Sequence, residues 1–210
     1  MTYGELKRRM IDFGFEESDY LSDPMAESEF RSSVNQARQT IAQYFPTIGR
    51  YDFAQDGTAV GLHKINLKDK TENNTDGETV SITFDGIYDN FDSMQIIQDG
   101  KVNPFGDYTI EQGNIIVLSY AIKGSFTIFF EKGITLIGED TQDEFDIEIA
   151  PEYEHLVPLL ASYHAWLDDD IQKATMYYNE YEQERNSLQA KLNEQKNKAK
   201  ARVVGGIRWH

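Results

Sequence analysis

QGNIIVLSYAIKGSFTIFFEKG, residues 112–133, decides the fold class. It holds two runs of β-branched and aromatic residues, Ile115–Tyr120 and Phe126–Glu131. Turn formers bound both runs: Gln112-Gly113-Asn114, Lys123-Gly124 and Lys132-Gly133. Such side chains suit a pleated, half-buried surface, and glycine and asparagine reach the backbone angles of tight turns. The two runs read as antiparallel strands.

The same texture spreads in both directions. Strands are expected at Val60–Leu67, Thr79–Phe84, Met94–Gln98, Tyr108–Glu111, Ile134–Ile137 and Phe145–Ile149, with turns at Asp76-Gly77, Asp85-Gly86 and Asp99-Gly100. Short strands at this spacing predict an antiparallel sandwich or barrel over residues 50–150. In the last strand Phe145, Ile147 and Ile149 alternate with Asp146 and Glu148, so those acids are expected to face solvent.

The flanks change period. Thr2 with Glu5 matches a capping box, Leu6 and Met10 share a helical face, and Phe13-Gly14-Phe15 ends this first helix. Asp23-Pro24 opens a second, where proline needs no amide hydrogen. Phe30, Val34, Ala37, Ile41 and Tyr44/Phe45 then recur at steps of four and three until Pro46. After residue 150, Tyr153–Leu167 is apolar on more than one face, and Pro158 either kinks that helix or marks its true start. Asp168–Asp170 forms a turn that caps a last helix. On it Ala174, Tyr178, Tyr181, Arg185, Leu188 and Leu192 recur at heptad spacing, with Tyr177 beside them. From Ile171 to Lys200 this helix would run roughly 45 Å at 1.5 Å per residue.

No flanking helix can bury its own stripe, so the flanks must pack on each other. The predicted fold is therefore α+β: a bundle of about four helices interrupted by an inserted β domain. The helical domain takes residues 1–49 and 151–195, the β domain 50–150, and a basic tail 196–210.

Composition excludes several function classes. The chain has 210 residues and 40% apolar content, which suits a globular protein, and it has no cysteine, which removes disulfides and thiolate chemistry. The most apolar run, Ile115–Ile122, is too short to span a bilayer. Thirty-six acids against 20 bases give a net charge of −16, the opposite of a nucleic-acid-binding surface. Residues 196–210 break that trend, with Lys196, Lys198, Lys200, Arg202 and Arg208 and no acid. A frayed solvated end explains them without a partner; the functional reading is an arm that docks on an acidic partner.

Signs of catalysis are weak. His63, His155, His164 and His210 form no metal-binding pair, and no nucleophile elbow, P-loop or dinucleotide fingerprint occurs. Glu72–Gly77 has the look of a calcium loop but lacks the closing glutamate, and reads as a polar hairpin loop. Neither an enzyme, a cofactor nor a metal is expected.

MTYGELKRRM (residues 1–10), DPMAESEFRSSVNQARQTIAQYFP (23–46) and PEYEHLVPLLASYHAWLDDDIQKATMYYNEYEQERNSLQAKL (151–192) carry a resemblance. Together they resemble the head–tail connector (adaptor, or head completion) proteins of tailed bacteriophages. Val34-Asn35-Gln36-Ala37, the acidic turn Asp168–Asp170 and the run Lys173, Ala174, Tyr177/Tyr178, Tyr181 are its marks, over roughly half the chain. The resemblance implies a virion protein of the neck, made in the host cytoplasm. It implies a dodecameric homo-oligomeric ring between the portal protein and a downstream tail or nozzle protein, lining a channel through which DNA passes without sequence-specific binding, with no membrane involved. It makes Lys196, Lys198, Lys200, Arg202, Val203, Val204, Ile207, Arg208 and Trp209 the portal-binding arm. The stripe Tyr178, Tyr181, Leu188, Leu192 is the expected subunit interface.

The alternative is a carbohydrate- or protein-binding β-sandwich module that the helices oligomerise. Tyr88, Phe91, Phe105 and Tyr108, near expected loops, motivate it; the usual burial of aromatics places them in the core instead.

Overall fold

A computed structural model describes residues 1–13 and 24–204, with side chains for 1–13 and 26–195. The chain is α+β, with four helices among the described residues and two antiparallel sheets of four and five strands. It divides into two units, Met1–Ile41 with Leu136–His210, and Ala42–Thr135. The divisions lie earlier in the chain than residues 49/50 and 150/151, so the segment after Thr135 goes with the helices.

In the helical unit, α1 (Tyr3–Asp12) starts on the expected capping box: Glu5 N donates to Thr2 Oγ1 and Thr2 N to Glu5 Oε2. Its buried face is Tyr3, Leu6 and Met10. α2 spans Pro24–Tyr44 and buries Phe30, Val34, Ala37 and Ile41, the stripe read from spacing. α3 (Leu156–Trp166) buries every residue from Leu156 to Ser162. Pro158 lies in its first turn, where no amide partner is needed, so it marks a start and not a kink. Asp170 caps α4 (Ile171–Val204) by accepting from Gln172 N and Lys173 N.

Phe145–Ile149 is not a strand of the β unit. Its backbone meets the N-terminus instead: Tyr3 N donates to Phe145 O at 2.8 Å, and Ile147 N to Met1 O at 3.2 Å. Glu148 has φ +56°, outside the extended region, and its carboxylate pairs with Arg38; the expected alternation holds without a sheet, with Ile147 and Ile149 buried and Asp146 exposed. Ile134–Ile137 is also not a strand. Asn35 of α2 takes both backbone groups of Ile137 at 3.0 Å, supplying the partners a sheet would have given.

The β unit contains β1 (Ile48–Gln55), β2 (Leu62–Asn66), β3 (Thr71–Asn73), β4 (Thr79–Ser81), β5 (Ile87–Gln98), β6 (Lys101–Pro104), β7 (Tyr108–Glu111), β8 (Ile115–Ser119) and β9 (Gly124–Gly133). One sheet has the order β1-β9-β5-β6 and the other β4-β3-β2-β8-β7. Both remain open-edged, which removes the closed-barrel reading. A single hydrophobic cluster draws on both: Tyr51, Met94, Ile96, Phe126, Ile128 and Phe130 from the first, Ile65, Ile116 and Leu118 from the second. Asp99 and Gly100 both have positive φ between paired Gln98 and Lys101, the two-residue turn their sequence predicts. At Gly49 a Cβ would lie 2.5 Å from the Phe130 ring, so β1 needs glycine there to lie against that ring.

The chain enters and leaves this unit at one end, where Ile48 pairs with Glu131. The other end, where Gln55 pairs with Gly124, carries the β1–β2, β5–β6 and β8–β9 connections.

Candidate functional site

The four stripe residues of α4 do not share one environment. Tyr181 is 1% exposed and belongs to the helical core with Ala174 and Tyr177, so it packs within the subunit. The buried seam runs through Tyr177, not Tyr178, because the hydroxyl of Tyr177 donates to Phe13 O at 2.6 Å and its ring meets Phe13 edge-on at 5.2 Å. Tyr178 is exposed and lies against Tyr163, with centroids 4.8 Å apart. Leu188 and Leu192 are half-buried. Near the start of α4, Leu167, Ile171 and Met176 are exposed apolar side chains, and Lys173 Nζ sits 3.6 Å from the Trp166 ring centre.

The backbone of residues 196–204 continues α4. The side chains of Lys196, Lys198, Lys200, Arg202, Val203 and Val204 lie outside the described residues, as do Ile207, Arg208 and Trp209 entirely.

The aromatics that motivated a ligand surface pack inward. Tyr88 is buried in the β core, and Phe91, Phe105 and Tyr108 pack against it. Tyr88 donates to Gly113 O at 2.6 Å, Phe91 and Tyr108 lie 5.3 Å apart, and Phe105 meets Phe126 edge-on.

A polar constellation lies elsewhere, around His63. Alternation along β2 turns His63 and Ile65 to the core side, and Glu72 pairs with Ile65 on β3. Glu72 Oε2 accepts from Tyr51 Oη at 2.9 Å and meets His63 Nε2 at 3.0 Å. Burial opposes ionisation of Glu72, but the bonds from His63 and Tyr51 outweigh it and hold its pKa below the usual value. Burial, and then the bond to Glu72, push the Tyr51 phenol well up. Gln55, with its amide nitrogen turned to Ser119 O and Ile122 O at 3.0 Å each, accepts from His63 Nδ1 at 2.8 Å. Tyr120 stacks on the His63 ring at 4.8 Å, and Phe53 meets it edge-on at 5.2 Å.

These residues floor a cleft of about 520 Å³ lined by Ala54, Gln55, Asp56, Ala59, His63, Glu72, Asn73, Asn74, Thr75 and Tyr120. Its walls are fixed from behind. Asn73 Nδ2 donates to Leu62 O at 2.9 Å, Tyr120 donates to Asn73 O, and Asn74 Oδ1 accepts from Asp76 N and Glu78 N in the β3–β4 loop. That loop is the polar hairpin expected at Glu72–Gly77. The alternation Leu62-His63-Lys64-Ile65 carried the signal for a buried histidine. Its carboxylate partner lay beyond sequence reading, because Glu72 is placed by strand pairing.

Among the described residues no cluster of histidine, cysteine or carboxylates could hold a metal ion, and no helix is long and apolar enough to cross a membrane. Compared with known proteins, the chain matches no family model and none of the curated proteins.

Proposed function

We propose that the protein is a non-enzymatic structural connector of a tailed phage, a ring-forming adaptor in the virion neck between portal and tail. The observation that carries this reading is α4. Its first half is anchored by Ala174, Tyr177 and Tyr181, yet the helix continues to Val204 past the half-buried Leu188 and Leu192 into the basic segment. A helix that runs beyond its own core leaves an apolar face for a second protein, here neighbouring subunits of a dodecameric ring. The basic segment 196–210 then docks on the portal, with Val203, Val204, Ile207 and Trp209 as apolar anchors. Exposed ion pairs contribute only about 0–1 kcal/mol each, so apolar anchors are required. An acidic ring also lets DNA phosphates pass without adhering.

Negative-stain imaging of the protein alone and with portal tests the ring. Deleting residues 203–210 is expected to abolish portal binding and leave the melting curve of the isolated protein unchanged. Native affinity in the truncated protein would remove the docking role.

The cleft around His63 favours a second reading of the β unit. Its two sheets face each other as a β-sandwich, and the sandwich is a binding module that the helices oligomerise.

A further inference from the structure

The cleft floored by His63 and Glu72 lies at the end of the β unit away from both chain connections, beside the Asp56–Gly61 loop and the β3–β4 hairpin. A site there can be occupied without disturbing the strands that tie the unit to the rest of the chain. Its bonding capacity is uneven. Both bonds to Glu72 fall on Oε2, and Oε1 has no partner among the described residues. Both bonds to Asp56 fall on Oδ1, from Thr58 N at 2.9 Å and Thr58 Oγ1 at 2.7 Å, and Oδ2 has none. The exposed Thr75 hydroxyl adds a group that can donate or accept.

Glu72 already accepts from Tyr51 and meets His63, and Asp56 already accepts twice from Thr58. A ligand made of hydroxyl groups would find two fixed carboxylate oxygens, a hydroxyl, and the small side chains Ala54 and Ala59 against which a ring's C–H face can lie. The acceptors are already held by Tyr51, His63 and Thr58, so binding need not order them. The volume is within the range of small-molecule sites, about 300–1,000 Å³.

We infer that this cleft binds a neutral saccharide, with Glu72 Oε1 and Asp56 Oδ2 accepting hydrogen bonds from adjacent hydroxyls. The inference rests on reading the β unit as a binding module, and it moves the ligand surface from Tyr88, Phe91, Phe105 and Tyr108 to this end.

The test is titration of the isotope-labelled full chain with glucose, galactose, mannose and N-acetylglucosamine, followed by amide NMR. At least one sugar is expected to give saturable shifts confined to Gln55, Asp56, His63, Glu72, Asn73, Thr75 and Tyr120. Glu72→Gln keeps an oxygen for Tyr51 and His63 but turns the cleft-facing acceptor into a donor. Asp56→Asn keeps the oxygen that caps Thr58. Each is expected to fold normally and to weaken the sugar at least tenfold. No saturable shift with any of the four sugars overturns the inference, as does undiminished binding in both variants. Shifts at these residues with an arginine-containing peptide and none with sugars would also overturn it, while leaving the binding-module reading intact.

Discussion

Asn35 and Arg38 stand one turn apart on α2, and both direct their polar groups to the segment that follows the β unit. Arg38 is 0% exposed, and its Nε donates to Ile147 O at 2.8 Å while its terminal nitrogens reach Asn35 and Glu148. Replacing Arg38 with Met leaves a buried carbonyl without its donor. The expected cost is about 2–3 kcal/mol in denaturant unfolding, the range for bonds to charged groups; a loss under about 0.5 kcal/mol would show that water substitutes for the guanidinium. Neither role was legible in the sequence. Both lie off the apolar stripe of Phe30, Val34, Ala37 and Ile41, and their partners are more than a hundred residues away. Glu72 makes a different residue-scale prediction. Its folded pKa is depressed, so its contribution to stability is complete above the unfolded carboxylate value of about 4.3 and is lost as pH falls through the folded value. Glu72→Gln is therefore expected to flatten the acid limb of stability against pH below about 4, with its largest loss near neutral pH, where the carboxylate contributes fully, and its smallest in acid, where Glu72 is itself protonated. An acid limb identical to the parent's would show that other carboxylates set it.

Among the elements, α4 joins a seam and an overhang in one helix. Tyr181→Ala removes a core side chain and is expected to cost about 3–5 kcal/mol of folding stability. Leu188→Asp or Leu192→Asp touches the half-buried stretch and is expected to impair assembly on portal, read by light scattering, more than it lowers the melting temperature. Normal assembly of both aspartate variants would rule that face out as an interface. Helix boundaries and caps were legible because proline, the Thr2–Glu5 pair and Asp170 act locally. Three strands were not. β1 reads Ile-Gly-Arg-Tyr-Asp-Phe-Ala-Gln, with Gly49 and two charges breaking the apolar pattern, although the charged residues are simply its outward face. β6 is exposed along its whole length, and β3 is three half-buried residues placed by their neighbours. Edge strands carry little hydrophobic signal because little of them is buried.

At the scale of the molecule, insertion of one unit into another was legible as a change of period, and its borders were not, since Ile134–Ile137 and Phe145–Ile149 read as strands until Asn35 and Arg38 claim the backbone of Ile137 and Ile147. Replacing residues 42–135 with a short Gly/Ser linker is expected to leave a helical protein that melts cooperatively by circular dichroism. A featureless spectrum would show that the helical unit depends on the insert. The way the insert is attached also decides how it bears load. Its first and last strands are antiparallel neighbours, with Ile48 opposite Glu131 at the end where the chain comes and goes. Tension applied through those two connections pulls along the cross-strand bonds and opens them one after another, as a zipper parts, instead of shearing the whole ladder at once. The β unit is thus a mechanically soft element: a pull between its two ends opens it from the attached end first, and the distal cleft is the last part to lose its walls.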